Sequence, residues 1–206
     1  MGYFPFFMEL SGQEGLIVGG GTVAARKAEK LLPYGPRLTV AAPELLPELA
    51  AIPGLTLLRR PFGPDLLEGK LFVIAATDDP ALNRCVAAAC RQRRIPVNAV
   101  DDREACTFLF PALVKRGDLS VGISTGGASP SAAVYLKEQI AALLPGDFGD
   151  LLAELDALRP IVKEAIPEGA RAAAFSRLFA ARLAAGRPLE EKELRDILSG
   201  TEEEMP

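Results

Sequence analysis

The chain has 206 residues, 49% of them hydrophobic and 24% charged, enough to bury roughly 70% of its unfolded-state surface in one large or two small globular domains. It contains no histidine, which excludes Ser-His-Asp and Cys-His nucleophile sites, ordinary zinc sites and histidine-ligated haem, and leaves acid-base work to Asp, Glu, Lys, Tyr or Cys. Its net charge of −4 offers no general attraction for nucleic acid or an anionic membrane, so neither is an expected partner and a negatively charged ligand needs a local basic patch.

The opening stretch, Met1 to Gly12, holds Glu9 and lacks a basic start, unlike a signal peptide. From residue 16 to residue 100 short apolar runs alternate with helical periodicity, which predicts βαβ units around a parallel sheet. The expected strands are Leu16–Gly20, Arg37–Ala42, Thr56–Arg59, Leu71–Thr77 and Pro96–Val100. The expected helices are Val23–Leu32, with Val23, the Lys27 stem and Leu31 on one row, and Ala81–Arg93, with Leu82, Val86, Ala89 and Cys90 recurring. Sheets of this kind bind ligands beyond the carboxyl ends of their strands, which points to residues 19–24, 41–44, 77–80 and 98–102.

Two more β-like runs follow, Thr107–Val114 and Leu119–Thr125, with Lys115-Arg116-Gly117-Asp118 as the turn between them. The uncharged run Leu119–Leu136 carries five Ser or Thr, three Gly and a Pro, a composition unsuited to lipid. Ser129 reads as an N-cap and Pro130 as the first helical residue of a helix with Ala133, Leu136, Ile140 and Leu143 on one face. This segment breaks the alternation and is expected in another layer or at an interface. The remainder is helical by period, through Leu151, Leu152, Leu155 and Leu158, then Phe175, Leu178, Phe179 and Leu183, then Leu194, Ile197 and Leu198, punctuated by Pro160, Pro167 and Pro188. The acidic tail Thr201–Pro206 is expected to fray. Cys85, Cys90 and Cys106 are odd in number and lack ligand spacing, which suits free thiols in a reducing, cytoplasmic setting.

Leu16 to Ala24 reads as a strand entering G-x-G-x-x-A and then a helix. Gly19 allows the tight turn, Gly21 lets the backbone approach a pyrophosphate, and Ala24 permits close packing of helix on strand. The alternative is a glycine-rich turn with no ligand. The second strand ends in Ala41 and Ala42 where an acidic residue ordinarily holds the ribose; Glu44, just past Pro43, is the nearest carboxylate. No Arg or Lys lies between residues 41 and 46 to take a 2′-phosphate, so NAD is favoured over NADP. Thr77 is placed to line the cleft, and Asp79 before Pro80 reads as an N-cap. Asp101 and Asp102 end a neighbouring strand; a proton acceptor, an oxygen ligand and a solvated pair in a turn all fit that spacing. The turn Ser124–Ser129 offers amides and hydroxyls at a helix start, either a second anion site or an ordinary cap. Arg26, Lys27, Arg59, Arg60, Arg91, Arg93, Arg94, Arg103, Lys115 and Arg116 read mostly as a solvated basic face.

Five blocks in order, Phe4-Pro5-Phe6-Phe7, Gly19-Gly20-Gly21-Thr22-Val23-Ala24-Ala25-Arg26-Lys27, Ala75-Ala76-Thr77-Asp78-Asp79, Asn98-Ala99-Val100-Asp101 and Ser124-Thr125-Gly126-Gly127-Ala128-Ser129-Pro130, together resemble the precorrin-2 dehydrogenase / sirohydrochlorin ferrochelatase family over residues 3 to 145. The resemblance implies an α/β fold: a Rossmann-like NAD-binding domain over residues 1–112, a small α+β dimerisation segment over 113–145 and a C-terminal helical domain over 146–206. It implies NAD-dependent oxidation of precorrin-2 to sirohydrochlorin in a cytoplasmic homodimer, with Fe2+ as a further substrate where the member also inserts metal. By position Asp101 matches the family's key aspartate, with no permanent metal and Asp101 as a transient metal ligand. Gly19, Gly20, Gly21, Thr22, Val23, Pro43, Glu44 and Thr77 are the expected cofactor contacts, and Ser124, Thr125, Gly126 and Ser129 the expected clamps for the substrate's carboxylates. The methyltransferase module fused to some members lies outside this sequence, so the resemblance implies a chain that receives precorrin-2. The competing reading is a non-enzymatic NAD-sensing Rossmann module, which would bind coenzyme without turnover.

Overall fold

Five short strands, β1 (Glu14–Val18), β2 (Arg37–Ala41), β3 (Leu55–Leu58), β4 (Phe72–Ala75) and β5 (Val97–Ala99), form one wholly parallel sheet in the order β3-β2-β1-β4-β5. The computed structural model describes residues 3–199, which fall into two units divided between Phe110 and Pro111. The tail expected to fray lies outside the described residues.

The strands of the first unit are apolar on both faces because both faces are covered. Leu16, Val18, Val73, Ala75, Val97 and Ala99 face a layer built with Val86 and Cys90 of α3 (Pro80–Gln92). Ile17, Leu38, Val40, Phe72 and Ile74 face Ala24, Ala25, Ala28 and Leu31 of α1 (Thr22–Leu31). Burying each large side chain stabilises the fold by about 1.5–3 kcal/mol, and Leu16, Ile17, Leu38, Val40, Val73 and Ile74 are all essentially sealed. The row expected on α1 is displaced: Val23 is exposed, and the alanines at 24, 25 and 28 form the packed stripe. A four-residue helix, α2 (Pro47–Ala50), follows β2.

The chain runs outward from β1 to β2 and β3, then returns to place β4 on the other side of β1. The reversal makes the carboxyl ends of β1 and β4 the switch point of the sheet, the place where open α/β sheets hold ligands.

In the second unit β6 (Ala112–Arg116) and β7 (Leu119–Ile123) form an antiparallel hairpin, followed by α4 (Pro130–Leu143), α5 (Phe148–Ala157), α6 (Arg159–Ala165), α7 (Glu168–Ala185) and α8 (Glu191–Ser199). The expected run Thr107–Val114 is shorter as a strand, beginning at Ala112. Thr107 is stapled to β5 instead, its amide donating to the Val97 carbonyl and its hydroxyl accepting from the Val97 amide, both at 2.8 Å. Pro111, with no N–H, cannot extend the ladder. Lys115 and Arg116 belong to the ladder, paired with Ser120 and Leu119, which leaves Gly117-Asp118 as the turn, Gly117 at φ +53°. Val162, Ala174, Leu178 and Ile197 make the core of the last helices. Arg182, 3% exposed, is paired with Glu154 at 2.6 Å and Asp147 at 2.9 Å, which holds Asp147 below the ordinary carboxylate range. Among the described residues no helix is long and apolar enough to cross a membrane.

Candidate functional site

The three glycines between β1 and α1 have different physical reasons. Gly19 sits at φ +130°, a conformation L side chains rarely adopt, and a methyl there would overlap the Ala76 carbonyl. At Gly20 a methyl would overlap the Glu44 carbonyl and lie 3.0 Å from the Ala42 side chain. Both glycines are required by the fold. Gly21 is not: its backbone, φ −93° and ψ −173°, suits any residue, and a methyl there would meet nothing within 4 Å.

Gly21 is also the N-cap of α1, with no side chain capping the helix and no acidic residue in the first turn. The first-turn amides, with the positive end of the helix dipole, therefore face open space. That cradle fits a dinucleotide: a bare backbone at Gly21, then the amides at Thr22 and Val23, is what a pyrophosphate needs for close approach. Thr22 and Val23 are exposed at this start.

The other expected contacts flank the same edge. The Leu46 amide donates to the Gly20 carbonyl at 2.9 Å, pinning the segment after β2 onto the glycine turn and leaving Pro43 and Glu44 exposed beside it. Thr77 ends β4's extension, but its hydroxyl is engaged locally: it donates to Asn83 Oδ1 at 2.8 Å and accepts from the Asp79 amide at 3.2 Å. Asp79 caps α3, accepting from the amides of Ala81 at 2.8 Å and Leu82 at 3.2 Å.

The adjacent aspartates after β5 separate in role. Asp102 is structural, accepting from Arg84 Nε at 2.6 Å and from the Ala105 amide at 3.1 Å. The Arg84 guanidinium, then the Ala105 N–H, holds its carboxyl below the usual range. Asp101 is exposed and makes no hydrogen bond or salt bridge among the described residues. Its backbone is left-handed at φ +60°, a strain of order 1–3 kcal/mol for a non-glycine residue, eased for Asp. A carboxylate without a local structural bond, held in a strained turn at the carboxyl edge, is chemically available as a proton acceptor.

In the sequence Lys27 reads as an apolar stem on the α1 row and as one of a solvated basic set, with no role at the site. Its Nζ lies 3.7 Å from the centroid of the Phe110 ring and 3.4 Å from Asn98 Oδ1. Burial, followed by repulsion from Lys30, pulls its ammonium down to about 8, partly offset by Cys106 and Asp101. The signal was a charged residue within the Val23–Leu31 row, one turn inside a helix whose neighbours at 24 and 28 are buried. Asn98 appears in the sequence as part of a motif without a role. In the fold its buried Nδ2 donates to the Phe108 carbonyl at 3.0 Å and toward Cys106 Sγ at 3.4 Å. Burial raises the Cys106 thiol.

The Ser124–Ser129 turn belongs to the second unit. Ser129 caps α4 by accepting from the Ala132 amide at 3.1 Å, and Thr125 Oγ1 donates to the Ser129 carbonyl at 3.0 Å. Ser124 Oγ accepts from the Gly126 amide at 3.2 Å, with Gly126 at φ +62°.

A family described as NAD(P)-binding matches residues 6–112, and one described as the central part of a sirohaem biosynthesis protein matches residues 116–143. The siroheme synthase of Thioalkalivibrio sulfidiphilus is 42% identical over 171 residues, covering 82% of this chain and 35% of that protein. Siroheme synthase 3 of Aeromonas hydrophila is 40% identical over 211 residues, covering 98% of this chain and 45% of that protein. This chain thus spans less than half the length of those relatives. A solved structure of SirC, a precorrin-2 dehydrogenase, superposes with a TM-score of 0.73 at 25% identity, covering 96% of this chain and 98% of that one. With more than half of its residues inside the first match and the second following in register, the chain belongs to the NAD(P)-binding family of sirohaem-biosynthesis proteins that its motifs resemble.

Proposed function

We propose that this chain oxidises precorrin-2 to sirohydrochlorin with NAD as the electron acceptor. The observation that carries the reading is the pairing, on one carboxyl edge, of a helix start opened by Gly21 with the Asp101 carboxylate. The size and fold of the precorrin-2 dehydrogenase SirC, matched over nearly its whole length, support the substrate.

The oxidation removes one hydride and one proton from the macrocycle. NAD, when bound, accepts the hydride. The amides at Thr22 and Val23 hold its pyrophosphate against Gly21, while Gly19 and Gly20 keep the turn closed. Pro43 and Glu44 border the adenine ribose, and the lack of a cation between residues 41 and 46 favours NAD over NADP. Thr77, bonded to Asn83, braces the cleft wall at the end of β4. Asp101 takes the proton, and its turn holds the carboxylate ready before substrate arrives.

The substrate carries eight carboxylates, and the second unit supplies candidate clamps for them. Ser124 and Ser129 accept backbone N–H bonds and keep their own O–H to donate, whereas the Thr125 hydroxyl already donates to a carbonyl; the Gly126 amide completes the turn. Fe2+ is read as a further substrate: its entry displaces two inner N–H protons, of which Asp101 would take one while the other is released to water, and Asp101 would lend an oxygen to the ion in transit.

The chain acts as a cytoplasmic homodimer in this reading. Along α4 Val134, Tyr135, Leu136 and Leu143 are 44–81% exposed while Ala133 is buried, so large apolar side chains stand uncovered around most of the helix, which supports residues 113–145 as the dimerisation segment.

Anaerobic incubation with precorrin-2 and NAD tests the reading. Equal amounts of NADH and sirohydrochlorin are expected, with turnover lost and NAD binding kept in Asp101→Ala. Coenzyme binding without turnover in the parent chain would make it a sensing module instead. Repeating the assay with sirohydrochlorin and Fe2+ or Co2+ decides metal insertion.

A further inference from the structure

The loop from Val100 to Phe110 carries Asp101, yet it contains no helix or strand. Asp102 closes a turn within it at Ala105. The loop is anchored from outside by Thr107, stapled to Val97, by the Val100 amide donating to the Ala75 carbonyl at 2.9 Å, by Arg84 on Asp102 and Arg91 on the Glu104 carbonyl, and by a polar chain that runs inward from Lys27. Lys27 Nζ approaches Asn98 Oδ1; Asn98 Nδ2 donates to the Phe108 carbonyl and toward Cys106 Sγ. Cys106 Sγ in turn accepts from the Ala99 amide at 3.2 Å and lies 3.3 Å from the Asp102 carbonyl as donor, one residue from Asp101. Phe110 closes the arrangement from the other side, its ring under the ammonium and 5.8 Å from the Phe108 ring.

We propose that Lys27 is a positioning residue for the oxidation: its ammonium, wedged between the Phe110 ring and the Asn98 carbonyl oxygen, locks the Val100–Phe110 loop onto α1 and so fixes the Asp101 carboxylate at the sheet edge. The proposal rests on the reading of Asp101 as the proton acceptor.

A methionine would fill the same space against Phe110 with no charge to bury, so packing alone does not call for an ammonium here. The charged groups facing Lys27 are Lys30 from its own helix and Asp101 and the Cys106 thiol from the loop; Asn98 from β5 and Phe110 are neutral. Burial dominates and lowers the group from 10.5 to about 8. The folded chain therefore sheds this proton before the unfolded chain does, and between those values stability rises with pH. The ring contact needs the charge, so the clamp weakens over the same window. Folding and function respond to this one titration with opposite signs, which a purely structural lysine would not do.

The test compares the full chain with Lys27→Met and Lys27→Arg. In Lys27→Met, amide hydrogen exchange at Val100, Ala105, Cys106 and Thr107 is expected to quicken about tenfold or more, with the central strands unchanged. The same variant is expected to lose about 10- to 100-fold in kcat, with KM for NAD unchanged and no fall in melting temperature. The parent chain is expected to lose kcat above about pH 8, and Lys27→Arg should recover most of kcat without that alkaline decline. Unchanged loop exchange, a parental kcat in Lys27→Met, or faster exchange spread through the whole first unit would each overturn the proposal. The exchange measurement needs no turnover, so a chain that fails to oxidise precorrin-2 would defeat the proposed function and still leave the clamp decided.

Discussion

Replacing Gly21 by Asp separates coenzyme binding from folding. The backbone at Gly21 suits any residue and a new Cβ meets nothing within 4 Å, so the substitution costs no strain. An aspartate at this N-cap accepts from the first-turn amides and complements the helix dipole, a gain of roughly 0.5–1 kcal/mol over glycine. In a unit of this size that raises the melting temperature by about 2–6 °C. The same carboxylate occupies the amides meant for the pyrophosphate and places like charges about 4 Å apart, about 4 kcal/mol at an effective dielectric constant of 20, or roughly 1,000-fold in Kd. Gly20→Ala is the control. Its methyl would overlap the Glu44 carbonyl, in a segment fastened by the Leu46 amide to Gly20 itself, and overpacking of this kind costs about 1–3 kcal/mol. Thermal melts with NAD titration by calorimetry read both quantities. A Gly21→Asp chain that binds NAD normally, or that is destabilised as much as Gly20→Ala, would refute the reasoning.

Asp101→Gly relieves the left-handed strain and is expected to leave the first unit unchanged or more stable by up to about 1 kcal/mol while abolishing NADH formation; destabilisation with activity kept would reverse the assignment. The Asp102 carboxyl is lowered by Arg84, so its contribution to stability is present above its ordinary value of 3.8 and is lost as pH falls through the lowered one. Melts in acid should show this loss in the parent chain and a weaker one in Arg84→Gln. On α4, Leu136→Glu places a charge on an exposed apolar face and is expected to convert a dimer to a monomer by sedimentation without lowering the melting temperature of the first unit; an unchanged sedimentation profile would remove α4 from the interface.

Much of the fold is legible in sequence because its signals are local. The apolar runs at 16–20 and 71–77, the glycine turn between strand and helix, and Asp79-Pro80 at a helix start each state their structure within a few residues. The run at 107–114 misleads because its apolar residues pack without a ladder: Phe108 and Phe110 join the layer over α1, and Thr107 staples β5. The turn role of Gly19 and the approach role of Gly21 are written in their spacing, but the need for glycine at 20 is not, since Gly20 owes its identity to Glu44, some two dozen residues away. Asp101 and Asp102 look equivalent in a string; Arg84 and a left-handed turn tell them apart. Lys27 stayed hidden because a lysine on a helix reads as solvated until Asn98 and Phe110, from far along the chain, close around it.

The central claim is that one sheet edge holds both the coenzyme and the proton acceptor. A crystal structure with NAD bound tests it most directly. The pyrophosphate should lie on the amides of Thr22 and Val23 in front of Gly21, with the nicotinamide at the switch point between β1 and β4 and the Asp101 carboxylate facing it across the space for the macrocycle. Phosphates held elsewhere, or Asp101 turned away from the nicotinamide, would contradict the account.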